Sequence, residues 1–391
     1  MPQIRVLFTG EQLRQRRRET IFHAPAGIEF VTQEPLEKMK PDYLISATNK
    51  NRKFWDFRGL ARKLIHFFHI PNIRYVPNKY LKNVDVIYTP GQMLLNHFPY
   101  AVEVENVGAL GFYNMQTINI RKKLIRHFLL SQHCKAIVCL SQASYQGFLK
   151  TLGEEGLKEK TKVVYPYVRI NPFSKTKNLD KIIILTSNTK FYMKGTGEVL
   201  RAFEQLSKKY NNLEMWVISN TPPEYLEKYK AWSNIKFFPA TFKKDQLYEQ
   251  FYSQCDIFAQ CSYQDSLGLT YLELAASGKP IVATDIFATS EVVVDGFNGY
   301  MVKSPFHNHN EDFTLKEQYF PMPVTDTENE FYNKIDGREV VEQLVDRLDR
   351  LVQDGELRQQ MGENSLKIIN DKFSLEERNK KLTEIFSKAA V

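Results

Sequence analysis

Two carboxylates stand eight positions apart in the stretch DSLGLTYLELAASGKP, residues 265–280: Asp265 and Glu273. Between them Gly268 permits a close backbone turn. Residues 270–277 are good helix formers, with apolar side chains at 269, 272 and 276 on one side. The apolar run at 257–259 predicts a strand, so the stretch reads as the carboxyl end of a strand feeding a helix N-terminus. Free amides and the helix dipole at such a point favour phosphate groups. Carboxylates are poor neighbours for phosphate, and their natural targets are hydroxyls: a ribose on one side of a diphosphate and a hexose on the other. The same residues also allow a plainer arrangement, a capped amphipathic helix with Asp265 in a turn and Glu273 exposed.

The elements that must hold these residues repeat one pattern twice. In the front half, strand-like runs at 4–8, 43–47, 84–88, 101–104, 136–140 and 162–165 alternate with helical patterns such as 58–68 and 144–152. That alternation predicts a parallel sheet covered on both faces. After Arg169 the polar stretch NPFSKTKN, residues 171–178, has a proline and no periodicity, which marks a domain boundary. The back half restarts with strands at 181–185, 214–218, 235–238, 257–259, 280–283 and 299–302 and helices at 197–210, 223–232, 244–253 and 270–277. The expected fold class is α/β, with two Rossmann-like doubly wound domains, 1–175 and 176–372, facing a cleft. Such sheets bind ligands outside the carboxyl ends of their strands. Residues 304–336 break the rhythm and read as a surface insertion. Its His307, His309, Glu311 and Asp312 lack the spacing of a recognised metal site. Helices resume at 337–354 and 374–388.

Composition agrees with a globular protein. Apolar residues make up 43% and charged residues 25% of 391, values that exclude a disordered chain or a fibre and suit two domains. Cys134, Cys139, Cys255 and Cys261 form no C-x-x-C pair and sit in apolar runs, so they are expected as buried reduced thiols. No apolar run approaches the ~20 residues that span a bilayer, and the chain enters a strand almost at once; a cytoplasmic location is expected. The charge is uneven: 27 Lys and Arg against 13 Asp and Glu through Lys175, a balance of +14, and −6 over the remainder.

The motif at 265–283 resembles the acid-x7-acid motif of the retaining, family-4-type glycosyltransferases (glycosyl transferases group 1) with the GT-B fold. Asp265, Gly268, Leu269, Glu273, Ala276, Gly278, Pro280, Ile281, Val282 and Ala283 fill its places, with the first acid shortened to Asp. Phe191-Tyr192-Met193-Lys194-Gly195 resembles the family's lysine-glycine element. Ala283-Thr284-Asp285, Glu291 and Gly296-Phe297-Asn298-Gly299 resemble the segment after the acid motif. Phe373-Ser374 resembles the family's ending, in which a last helix, 373–391, crosses back to the first domain.

The resemblance implies a hexosyltransferase using a nucleotide-diphosphate sugar, with retention, a glycan or lipid-linked acceptor held mainly by the front domain, and a role in glycan biosynthesis. Glu273 then takes the ribose hydroxyls, Asp265 the sugar hydroxyls, and Lys194 the diphosphate whose charge grows in the transition state. Amides near Ser266, Leu267, Gly268, Leu269 and Thr270 hold phosphate oxygens, with Gly195 and Lys190 alongside. The strand end at Pro239 and Ala240 approaches the base. No D-x-D pair stands ready for a divalent ion, so neither metal nor other cofactor is expected. Front-face displacement, with the leaving phosphate helping to deprotonate the acceptor, is the implied mechanism.

The pattern is broken in the front half. Glu105 stands where the family commonly has a sugar-contacting histidine, and it is either a catalytic carboxylate or an acid at a half-exposed strand end. The glycine-rich loop is reduced to Thr9-Gly10-Glu11, leaving Gly10 as its donor-binding position. Basic segments at Arg14, Arg16, Arg17 and Arg18, at 58–68 and at 121–130 read either as core-facing helices with a solvated side or as contacts with an anionic membrane, at its inner face. Nucleic acid is not indicated, because no reading module accompanies the charge. A catalytically silent GT-B partner subunit and a nucleotide-sugar epimerase stand as rival readings.

Overall fold

A computed structural model describes residues 3–10, 15–33, 64–170, 181–316 and 331–390, the side chains of 15 and 16 excepted. Two compact units emerge: Met1–Tyr167 with Asn308–Met322 and Phe373–Val391, and Val168–His307 with Pro323–Lys372.

The first unit is built on β1 (Ile4–Phe8), β2 (Ile28–Thr32), β3 (Ile73–Arg74), β4 (Val86–Pro90), β5 (Met93–Leu94), β6 (Tyr100–Val104), β7 (Cys134–Cys139) and β8 (Thr161–Val163). Its main sheet runs β2-β1-β4-β6-β7-β8, parallel throughout, and β3 and β5 form a separate parallel pair. Both faces are apolar because alternate residues point opposite ways. Leu7, Ile87, Val102 and Ile137 enter one core with Ile125 and Phe148 from helices. Val6, Val86, Ala101 and Val138 enter the other with Leu382, Ile385 and Phe386 of helix Leu375–Ala389.

The second unit holds β9 (Ile182–Ser187), β10 (Leu213–Ile218), β11 (Ile235–Phe238), β12 (Ile257–Gln260), β13 (Ile281–Asp285) and β14 (Gly299–Lys303). They form one parallel sheet in the order β11-β10-β9-β12-β13-β14. This is the doubly wound dinucleotide-fold order, reversing between β9 and β12. Helices Thr196–Leu206 and Arg338–Gln353 cover one face with Val199, Phe203, Val340, Leu344 and Leu348. Helix Gly355–Lys372 approaches through small residues: a Cβ on Gly362 would lie 2.2 Å from the Gly278 carbonyl, and Ser365 donates to the Lys279 carbonyl at 2.9 Å.

Three expectations meet a different arrangement. The unit boundary falls at Tyr167–Val168 rather than after 175, because Tyr167 still packs on first-unit groups: its ring centroid lies 5.6 Å from that of His23 and 5.7 Å from the Arg378 guanidinium. The excursion at 304–336 is not simply a surface insertion. Leu315 joins a first-unit core, and the Phe313 carbonyl lies so near Gly147 that a Cβ there would sit at 2.3 Å. Helix Gly355–Lys372 and strand β2 add elements that the sequence pattern did not mark. The strand expected at 43–47, Arg14 and residues 58–63 lie outside the described residues; residues 64–67 are helical. All four cysteines are buried and free, as expected.

Candidate functional site

The reversal of strand order sends the loops after β9 and β12 to opposite faces of the sheet, opening the crevice in which such sheets take ligands. Lys194 lies on the first loop and Asp265 on the second. Lys194 Nζ lies 2.6 Å from Asp265 Oδ2 and 3.2 Å from the Gln264 carbonyl, with the paired side chains only 15% and 16% exposed. The other Asp265 oxygen accepts the Ser266 amide at 3.0 Å. The carboxylate is therefore fixed from both sides.

Backbone contacts fasten the two loops. The Tyr263 amide donates to the Met193 carbonyl at 2.9 Å. Gly195 has φ +61°, and a Cβ there would fall 2.1 Å from the Cys261 carbonyl oxygen, so glycine is required both for its conformation and for the close approach. Helix Leu269–Ala275 follows Gly268, whose φ is +76°; no side chain caps its first amides, those of Leu269 and Thr270. Tyr271 of this helix donates to the Gln260 carbonyl at 2.9 Å, tying the helix back to β12. Burial, and then the Asp265 charge, hold its phenol above the ordinary value, so it stays a donor.

Glu273 is buried, which overturns the plainer expectation that it is exposed. Burying a carboxylate is costly unless it is paired. Lys244 supplies the counter-charge, and Tyr252 Oη lies 3.4 Å from Glu273 Oε2 and 3.4 Å from Ser187 Oγ. Burial, then the Glu273 charge, push the Tyr252 phenol well above its ordinary value. A buried carboxylate is thus held beside Ser187, the last residue of β9, where it can accept from hydroxyls.

Lys194 and Asp265 meet across the two loops, with Gly195 following the first and Ser266, Leu267, Gly268, Leu269 and Thr270 following the second, and Glu273 stands one helical turn further on. Lys190 is exposed, and its carbonyl accepts the Lys194 amide at 3.0 Å. Pro239 and Ala240 follow edge strand β11, whose last carbonyl, that of Phe238, accepts the Ser219 amide at 3.1 Å. Gly10 and Glu105 belong to the first unit: Gly10 follows β1 under the Phe8 ring, and Glu105 follows β6 and accepts from the Tyr113 hydroxyl.

Sequence reasoning missed Lys244, Tyr252 and Ser187, whose spacing carries no signal toward Glu273. It also missed Tyr332, which donates to Gln264 Oε1 at 2.5 Å from within the excursion. In the first unit it missed Arg74, which donates to the Thr9 carbonyl at 2.8 Å and to Gln33 Oε1 at 2.7 Å beside the end of β1.

Fold and crevice define a GT-B glycosyltransferase architecture of two Rossmann-like domains. Residues 168–312 match the family Glycosyl transferases group 1, and 168–307 of that stretch lie in the second unit. An uncharacterized glycosyltransferase of Methanocaldococcus jannaschii is 23% identical over 66% of this chain and 73% of its own. Among solved structures, HepE of Anabaena, in complex with UDP and glucose, aligns with a TM-score of 0.61 at 14% identity over 98% of this chain and 99% of that one. A glycosyltransferase from Rickettsia africae aligns with a TM-score of 0.65 at 16% identity over 100% and 99%. Among the described residues, no three His, Cys, Asp or Glu side chains gather to hold a metal, and no helix is long and apolar enough to cross a membrane.

Proposed function

We propose that this protein is a glycosyltransferase that moves a hexose from a nucleoside-diphosphate donor to a glycan or lipid-linked acceptor with retention, without a metal or other cofactor. The observation that carries the reading is Lys194, an ammonium held by Asp265 and the Gln264 carbonyl at the β9–β12 switch point, with the uncapped amides of Leu269 and Thr270 four and five positions after Asp265.

Each residue has a role that its setting supports. Lys194 faces the diphosphate, where charge accumulates as the glycosidic bond breaks; a fixed cation needs no reorganisation at that moment. Asp265 keeps that ammonium in place and accepts from sugar hydroxyls. Glu273, buried and paired with Lys244, accepts from the ribose hydroxyls. The base lies toward Pro239 and Ala240, with Lys190 at the mouth of the crevice. Glu105 is the first-unit carboxylate assigned to a substrate hydroxyl, and Gly10 leaves room beside the end of β1. Retention follows when the leaving phosphate oxygen takes the acceptor proton on the face from which it departs. UDP is the first nucleotide to test, because HepE was solved with it.

A silent partner subunit is the second reading, favoured by the Lys244–Glu273 ion pair, which already engages the ribose-binding carboxylate. Thermal stabilisation by a panel of nucleoside diphosphates and nucleotide sugars, followed by donor turnover with and without acceptor, separates the readings. The transferase reading requires a shift that Glu273→Ala abolishes, followed by release of the nucleoside diphosphate. No shift with any nucleotide assigns the silent subunit, and donor interconversion without acceptor assigns an epimerase.

A further inference from the structure

We infer that the first unit docks on an anionic bilayer through one surface made by residues 64–70 and the helices Met115–Ile120 and Lys122–Leu130. Phe67 and Phe68 are 75% and 56% exposed, and Leu64 and Ile70 are exposed beside them. The rings of Phe67 and Phe68 meet edge to face at 5.1 Å, so they stand as a pair. Ile120, 58% exposed, and Leu124 present further apolar side chains from the adjoining helices.

Arg121 joins the two parts into one surface. Its Nε donates to the His69 carbonyl at 3.1 Å and its Nη2 to the Phe68 carbonyl at 3.2 Å. Thr117 Oγ1 and His69 Nδ1, 3.4 Å apart, make a second link. The turn is thereby pinned against the helix junction. Helix Lys122–Leu130 turns Ile125 and Leu129 into the core and leaves Lys123, Leu124 and His127 outside.

Charge decides what this surface meets. No Asp or Glu occurs from residue 64 to 84 or from 106 to 153, the described runs that carry it. The acids that flank these runs among the described residues are Asp85, Glu105, which accepts from the Tyr113 hydroxyl, and Glu154, which pairs with Lys158. Exposed aromatic and aliphatic side chains beside the cations Arg121, Lys122 and Lys123 suit an interface of acyl chains and anionic headgroups. A protein partner would have to offer an apolar face ringed by acids, and nothing here specifies one.

Flotation of the full-length protein with phosphatidylcholine vesicles, with and without phosphatidylglycerol, tests the inference. Binding is expected only with phosphatidylglycerol and is expected to fall as salt rises. Lys122→Gln/Lys123→Gln should weaken it roughly thirtyfold, about fivefold for each cation, and Phe67→Ser/Phe68→Ser should abolish it. Circular dichroism and nucleotide-induced thermal shifts check that both variants remain folded. Absence of flotation, binding equal on neutral vesicles, or binding unchanged in both variants overturns the inference. Concentration-dependent self-association lost in the phenylalanine variant, without flotation, assigns the surface to a second copy instead. The outcome is independent of the proposed transfer reaction.

Discussion

The ammonium of Lys194 and the carboxylate of Asp265 lie 2.6 Å apart although 71 positions separate them in the chain. Strand order explains the meeting: β9 and β12 are sheet neighbours at the point of reversal, and each side chain belongs to the loop leaving one of them. Lys194→Met removes the cation from the proposed leaving group, and kcat should fall about 10²–10³-fold, the scale of losing one preorganised electrostatic partner. It also strands Asp265, largely shielded from water, and should cost about 1–3 kcal/mol in denaturant unfolding. Lys194→Met/Asp265→Asn should recover most of that stability and none of the activity. Recovered activity would remove Lys194 from the chemistry.

Glu273 and Lys244 should behave as a coupled pair. Lys244→Met leaves the buried Glu273 with the long contact to Tyr252, and Glu273→Gln leaves Lys244 facing a neutral amide. Each single variant should lose stability, and a double-mutant cycle by urea unfolding should give a coupling of about 1–3 kcal/mol. Only variants at Glu273 should also lose the thermal shift with a nucleoside diphosphate. Additive single effects would show that the pair contributes nothing beyond its separate contacts.

Much of the fold was legible because its strands are continuous apolar runs bounded by turns, as parallel strands covered on both faces must be. The acid motif was legible for a local reason: strand end, turn and helix lie within one stretch of chain. The partners of Glu273 were not, because Lys244 and Tyr252 reach it from the helical segment 244–252 that precedes β12, a proximity that only tertiary packing creates. Helix Gly355–Lys372 escaped because its buried face includes Gly362 and Ser365, required by the close approach of Gly278 and by the Lys279 carbonyl. Small residues among Met361, Ile368 and Ile369 on that face weaken the apolar period that would have marked it. Tyr332 lay in a stretch whose prolines and charges suggested surface, yet it anchors Gln264, the residue whose carbonyl meets Lys194.

Gly195 tests how far the site depends on backbone placement. Its φ of +61° disfavours any side chain, and a Cβ would stand 2.1 Å from the Cys261 carbonyl oxygen, a backbone atom that can move only with β12. Gly195→Ala should cost about 1–3 kcal/mol of stability. Because the displaced residue adjoins Lys194, kcat should fall by more than the lost folded fraction explains. The comparison is kcat measured well below the variant's Tm; an unchanged value would show that the loop tolerates the shift.

Acid should weaken the second unit through Glu214. This side chain on β10 is buried, and burial alone would raise its carboxyl. Hydrogen bonds from Lys181 at 2.8 Å and Trp216 Nε1 at 2.6 Å, with the Lys236 ammonium at 2.5 Å, more than offset burial and hold it at about 2, against an ordinary 4.5. A depressed carboxyl contributes stability that is complete above its unfolded value and is lost as pH falls toward its folded value. Between about pH 4.5 and pH 2 the unfolded chain binds a proton that the folded chain refuses, so unfolding free energy should drop as pH falls through that window. The two lysines are half-exposed, and solvent screening reduces the expected loss to roughly 1–2 kcal/mol. Glu214→Gln should be less stable at neutral pH by a similar amount, and its stability should change less from pH 4.5 to 2. Urea unfolding of both proteins across that range provides the check, and parallel pH curves would remove Glu214 as a source of acid sensitivity.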